Sequence, residues 1–331
     1  MLYLKNQLAA FQLTKLASGV MGISCLILVA LLGLAFGDDS CPPAAELSPC
    51  TCDGEGVNCM EVKSLAELKK SFSANFKYGA ARSVWLQGTP LTSLTADVFG
   101  KIKSRMFYVE INQIATIDLN AFRASKESMS LLSLFGNKIV DFPFADLKDF
   151  TELSTLNMGR NLIHTIPDNA FQSRSLWAII LAQNQIRHIG KNAFANLPSL
   201  GRLELSYNQL VTLGPYALAS KQHGGGLQLS VSANKIEDID DTAFDGINPY
   251  AVFVSQNQLK TLKKAVFEPL VTKAAQQGGF IEVSYNPLTC QGCDYTWITL
   301  NKDVLAQKLI GFTCKDGTSI HDLTKSKIGC N

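Results

Sequence analysis

Charge is scarce in this chain. Asp, Glu, Lys and Arg together make up 18% of its 331 residues, and the formal net charge is +2. No long run of one sign occurs, so there is no basic stripe of the kind a polyphosphate partner requires, and nucleic-acid binding is not expected. Histidine is scarcer still. Of the four, His164, His188, His223 and His321, none stands in a metal-spaced pair, and no HExxH or P-loop sequence is present. His223 opens "HGGG" at 223–226, a string used in esterase oxyanion loops. That chemistry also needs a G-x-S-x-G nucleophile elbow, which is missing, so the string reads as a relaxed loop. The acidic cluster Asp238, Asp240 and Asp241 in "EDIDD" offers oxygen ligands for calcium, but fits a solvated turn better. No Asn-x-Ser/Thr sequon occurs. These absences leave no expected catalytic, cofactor or metal site.

Long hydrophobic runs are limited to one. Lys5 and Lys15 precede an uncharged stretch from Leu16 to Gly37 that includes "CLILVALLGLAFG". Ala35 and Gly37 are the small residues a signal peptidase site wants before Asp38, so residues 1–37 are expected to be a cleaved signal peptide. The alternative is a retained signal anchor, since the run is long enough to span a bilayer. Cleavage would remove two lysines and no acid, leaving 28 residues of each sign and a secreted protein with no membrane attachment.

What the sequence does have is a repeat. The stretch Leu200-x-x-Leu203-x-Leu205-x-x-Asn208-x-Leu210 recurs along the chain. Its asparagines are Asn112, Asn137, Asn161, Asn184, Asn208, Asn234, Asn257 and Asn286, and a degenerate first copy places Thr89 at that position. From Thr89 onward the steps are 23, 25, 24, 23, 24, 26, 23 and 29 residues. Period and pattern are those of the leucine-rich repeat. The expected fold is an α/β solenoid, a horseshoe of about nine repeats with a parallel concave sheet, occupying residues 79–288. Each inward asparagine carries both donors and an acceptor and is expected to bridge its own turn and the next. A second apolar beat, Val98-Phe99, Ala121-Phe122, Ala170-Phe171, Ala193-Phe194, Ala243-Phe244 and Val266-Phe267, is expected to stack behind the sheet as core.

A solenoid must cover the core exposed at each end. Nine cysteines are present; Cys25 lies in the signal segment, and the other eight fall in two groups of four that flank the repeats. Cys41, Cys50, Cys52 and Cys59 mark an N-terminal cap over residues 38–78. There "SLAELKKSFSANF" carries a capping box, Ser64 and Glu67, with Leu65, Leu68, Phe72 and Phe76 expected on one helical face. Cys290, Cys293, Cys314 and Cys330 mark a C-terminal cap over 289–331, with Trp297, Leu300 and Val304 expected to form the apolar side of a helix. An even count in an exported chain points to disulfides, with three pairings open within each group. The Cys290-x-x-Cys293 spacing also fits zinc or redox sites, but the second pair is too spread for zinc and no βαβ setting for a redox pair is visible.

On the concave sheet, alternate strand positions point outward. One column reads Trp85, Tyr108, Ser133, Asn157, Ile180, Glu204, Ser230, Phe253 and Glu282. The neighbouring columns add Met106, Leu131 and Ala178 on one side, and Phe135 and a series of later serines on the other. The expected partner-binding residues are therefore Trp85, Met106, Tyr108, Leu131, Phe135 and Ile180, an apolar patch with aromatic anchors. Tyr207 and Tyr285 are candidates for rim contacts. Glu204 and Glu282 share the face but lie too far apart for a glycosidase pair.

The motifs "CPPAAELSPCTC" (41–52), "FSANF" (72–76), "FPF" (142–144), "YNPLTCQGCDYTW" (285–297) and "CKDGTSIHDL" (314–323) carry a family resemblance. The sequence resembles the secreted arthropod leucine-rich-repeat proteins named after the non-catalytic subunit of oplophorus-luciferin 2-monooxygenase. The likeness covers about residues 41–331, and departs from it in placing two residues, not one, between Cys290 and Cys293. It implies the pairings Cys41–Cys52, Cys50–Cys59, Cys290–Cys314 and Cys293–Cys330, and a secreted accessory subunit without catalysis of its own. Two functional expectations follow: a protein-binding scaffold that accompanies a secreted enzyme, or a soluble innate-immune or matrix protein that recognises microbial or cell-surface ligands. An independent hydrolase or oxygenase is the least favoured reading.

Overall fold

Each repeat spends only a few residues on its strand, because one strand per turn is all the solenoid needs. In the computed structural model, which describes residues 41–77, 79–221 and 225–330, these short strands form one sheet of twelve. An antiparallel hairpin, β1 (Thr51–Asp53) and β2 (Gly56–Asn58), starts it. Nine parallel strands follow: β3 (Ala80–Gln87), β4 (Lys103–Glu110), β5 (Leu131–Ser133), β6 (Thr155–Asn157), β7 (Ala178–Ile180), β8 (Arg202–Glu204), β9 (Leu227–Ser230), β10 (Pro249–Phe253) and β11 (Phe280–Glu282). The last strand, β12 (Leu309–Ile310), closes the far edge. The expected signal segment 1–37 and His223 lie outside the described residues.

The asparagines hold the stack together. Asn161 Nδ2 donates to its own turn at Met158 O (3.1 Å) and to Leu134 O (2.9 Å) in the preceding repeat, while its Oδ1 accepts from Ile139 N–H (3.1 Å). Asn184, Asn208, Asn234, Asn257 and Asn286 repeat this geometry one register on. Asn137 does the same toward Val109 O and Ile114 N–H. The link therefore runs to the repeat before, not the one after. The reason is that the open N–H and C=O of each turn face the amide that arrives one repeat later. This also accounts for Thr89. As the first position it has no preceding turn to bridge, and it only donates, from N–H (2.8 Å) and Oγ1 (2.7 Å), to Asn112 Oδ1.

The residue just before each ladder position takes left-handed backbone angles: Gly88, Ile111, Gly136, Arg160, Gln183, Tyr207, Ala233, Gln256 and Tyr285 all have φ between 53° and 70°. This turn lets the chain leave the strand while keeping one more sheet bond; Arg160 N–H, for example, donates to Ala182 O at 3.0 Å. Behind the sheet the phenylalanines stack. Phe99 and Phe122 lie 5.3 Å apart, Phe171 and Phe194 5.1 Å, and Phe144 meets Phe171 edge-on at 5.0 Å. Phe244 and Phe267 are buried as well, and Leu218, whose N–H donates to Ala243 O as that of Phe171 does to Ala193 O, stands where the repeat calls for a phenylalanine. The connections behind the sheet are mostly tight turns; the connection between β10 and β11 is instead a full helix, Lys264–Gln276.

Both ends are covered by disulfide-bonded segments. Cys41 is bonded to Cys52 and Cys50 to Cys59 at one end, and Cys290 to Cys314 and Cys293 to Cys330 at the other. The N-terminal helix runs only from Leu65 to Ser71. Ser64 Oγ accepts from Glu67 N–H, but Glu67 Oε2 accepts from Lys63 N–H rather than from Ser64. Phe72 caps this helix and Phe76 lies beyond it, so the four expected residues do not share one helical face. The two rings nevertheless stack at 6.1 Å and are buried. In the C-terminal helix, Thr296–Leu305, Asn301 breaks helical geometry (φ −130°). Trp297, Ile298 and Leu305 are buried, whereas Leu300 and Val304 are 68% and 66% exposed. The expected stripe of Trp297, Leu300 and Val304 fails because the inward side of the helix centres between Trp297 and Ile298, away from Leu300, and Val304 lies beyond the kink.

Two outcomes follow. Asn161→Ala removes the acceptor of the buried Ile139 N–H and should destabilise the chain by about 1–3 kcal/mol, read as a lowered thermal midpoint. Ile298→Ala should cost about 2–5 kcal/mol in the same measurement, while Leu300→Ala should change it by less than about 0.5 kcal/mol.

Candidate functional site

The concave sheet divides chemically in two. In its N-terminal half the two long strands β3 and β4 lie side by side, so Trp85 and Tyr108 are direct neighbours. Their rings stack at 6.2 Å with 7° between planes. Across the next pairing Met106 meets Leu131, and the Tyr108 hydroxyl reaches the Met106 sulfur at 3.6 Å. Phe135 follows β5, with the Arg160 guanidinium 5.6 Å from its ring centre. All six expected partner-binding residues are half-buried, shielded in part by one another. Trp85, Met106, Tyr108, Leu131 and Phe135 sit on β3 to β5 and just after. Ile180 stands apart, separated by β6, where Asn157 occupies the equivalent place.

One carboxylate sits within this half. Gln87 Nε2 donates to Glu110 Oε2 at 2.7 Å, and Ser133 Oγ donates to Glu110 Oε1. Ser133 itself is buried, as are Ala178 and Gly159 in the flanking columns, so the outward alternation does not expose every position it names. The surface is flat where those small residues lie and raised where the aromatic rings stand.

The C-terminal half is polar. A shallow depression of about 380 Å³ is lined by Arg202, Glu204, Tyr207, Gln228, Ser232 and Phe253, among others. Ser232 and Ser255 hydroxyls meet at 2.9 Å, Ser284 donates to Glu282, and Phe253 meets Phe280 edge-on at 5.6 Å. Two acids of "EDIDD" are held within the chain: Asp238 pairs with Lys263 at 2.6 Å, and Asp240 accepts from the Thr242 hydroxyl and N–H. Those bonds, the hydroxyl's first, hold Asp240 below the usual carboxylate range.

Among the exposed apolar residues that the outward-column reading did not name are Trp177 and Ile111. Trp177 precedes β7, and its indole lies over Gly201, where a Cβ would meet Trp177 Nε1 at 2.1 Å. Ile111 is 61% exposed at the left-handed position after Glu110. Neither falls in an outward strand column. Trp177 depends on a glycine one repeat later, whereas a Cβ at Gly136 would meet Ile111 only at ordinary contact distance. The sequence signal for Trp177 is its pairing with Gly201; Ile111 has none beyond its place before Asn112.

Comparison with known proteins agrees with this geometry. The Leucine rich repeat family profile matches residues 151–210 and 174–220. The chain is a leucine-rich-repeat solenoid with cysteine-bonded ends. It is 29% identical over 318 residues to the Oplophorus-luciferin 2-monooxygenase non-catalytic subunit of Oplophorus gracilirostris, covering 86% of each chain. It is 27% identical over 246 residues to the human Leucine-rich repeats and immunoglobulin-like domains protein 3, which takes in 67% of this solenoid and 20% of that protein. Among solved structures, a chain of the octameric complex of Latrophilin 3, Unc5D and FLRT2 superposes with a TM-score of 0.54 at 19% identity, covering 88% of this solenoid and all of that chain. The TLR13–ssRNA13 complex gives 0.58 at 20% identity, over 69% and 31%. These structural likenesses speak for the fold alone. Among the described residues, no helix is long and apolar enough to cross a membrane.

Proposed function

We propose that this solenoid is a secreted, non-catalytic scaffold that binds a protein partner through the N-terminal half of its concave face. The observation that carries the reading is the Trp85–Tyr108 stack with Met106 and Leu131 beside it. Large apolar side chains on a rigid sheet, left half-covered, stabilise the fold less than full burial would, and they form the kind of aromatic centre on which interfaces depend. Rigidity favours the same use, since a surface fixed by sheet bonds and the amide ladder loses little freedom on binding. The four disulfides support export, because such bonds persist in oxidising compartments.

The likeness to a non-catalytic luciferase subunit supports an accessory role beside a secreted enzyme. The polar groups of the concave face are engaged with one another, as in the Gln87–Glu110–Ser133 set. The scaffold thus contributes contact and stability, and chemistry belongs to the partner.

Affinity capture of the secreted chain should recover a co-secreted protein in fixed proportion. Trp85→Ala with Tyr108→Ala should weaken that complex by at least about 2 kcal/mol, measured by titration, with the circular dichroism spectrum unchanged. Undiminished recovery with the double substitution would place the partner elsewhere.

A further inference from the structure

We infer that Glu110 and Ile111 form the selective point of this face, and that they take a protein segment in which an arginine or lysine is flanked by apolar side chains. The inference rests on the concave-face reading above and gives it a partner chemistry. Two independent features meet at these adjacent residues.

The first is charge. Along the outward positions of β3 to β7, Glu110 is the one carboxylate, with no lysine, arginine or histidine, among Trp85, Gln87, Met106, Tyr108 and their neighbours. Its carboxylate is aimed by Gln87 and Ser133. Both donors are neutral, so they fix its direction without cancelling its charge. Arg160, which flanks the same region, lies over the Phe135 ring. A lone, oriented carboxylate beside stacked aromatic rings suits a long cationic side chain, whose stem covers apolar surface while its head meets the acid. Arginine adds stacking on the rings themselves.

The second is strain. Ile111 holds φ at 55°, and it is the sole β-branched residue in the left-handed column of Gly88, Gly136, Arg160, Gln183, Tyr207, Ala233, Gln256 and Tyr285. A branched side chain is disfavoured there, and at 61% exposure it returns little by burial. Glycine, present at the same place in the first and third repeats, would serve the turn better. Strain of this kind, kept where folding does not need it, points to function. The side chain lies beside Gly136 of the following repeat, where a Cβ would stand at an ordinary contact distance of 3.5 Å, and it directly follows Glu110 in the chain.

The test uses the full chain, immobilised, with a displayed library of short random peptides as the probe. Enriched peptides should carry Arg or Lys flanked by aliphatic or aromatic residues. Glu110→Gln should weaken their binding at least about tenfold. Ile111→Gly should weaken it several-fold while leaving the melting temperature unchanged or higher, an outcome a structural role would not give. Absence of enrichment, enriched peptides without a base, equal binding to the Glu110→Gln chain, or a lowered melting temperature for Ile111→Gly would each overturn the inference. If Trp85→Ala with Tyr108→Ala abolishes peptide binding while Glu110→Gln does not, the face stands and the anchor falls. If basic peptides survive the double substitution, the concave-face reading itself fails.

Discussion

A primary amide that reaches back one repeat is the interaction on which this solenoid depends. Every coil leaves its turn with backbone groups that the sheet cannot pair, and the asparagine of the following coil supplies the missing donor and acceptor. The arrangement makes each repeat dependent on its neighbour and on nothing more distant. Stability then accumulates by nearest-neighbour terms, as in other linear repeat architectures. Because the amides are buried, their bonds are worth more intact than their modest net energy suggests, since an orphaned partner cannot turn to water.

Directionality has a structural corollary at the two ends. The N-terminal position tolerates threonine, as no leucine-rich repeat precedes it to be bridged, while the C-terminal position keeps its asparagine and reaches back to Val254. The N-terminal end is then completed by a hairpin whose second strand pairs with β3, and the C-terminal end by β12. Sheet edges invite pairing with other chains, and here both are occupied by short strands anchored through disulfides.

The repeat was legible because its information lies in spacing. The asparagine period and the alanine–phenylalanine beat are one-dimensional patterns, and the sheet and the aromatic column follow from them directly. The caps were less legible, since the inward side of a short helix is set by what it packs against: Ile298, not Leu300, faces the core beside Trp297, and Val304 lies past the break at Asn301. The concave face was legible as a set of columns, but exposure within it was not. Ser133 and Ala178 are covered by their neighbours, and Ile180 is isolated from the aromatic group by a strand that only the stacking order places between them. Ile111 was invisible because its importance lies in a backbone angle, which belongs to three dimensions.

The helix Lys264–Gln276 thickens one coil. Sheet strands stack about 4.8 Å apart whatever lies behind them, whereas a helix with its side chains needs about 10 Å. Packed behind both β10 and β11, it adds Leu270, Val271 and Ala274 to the Val266 and Phe267 that continue the repeat pattern, a padding of the outer wall that the coils closed by tight turns do without.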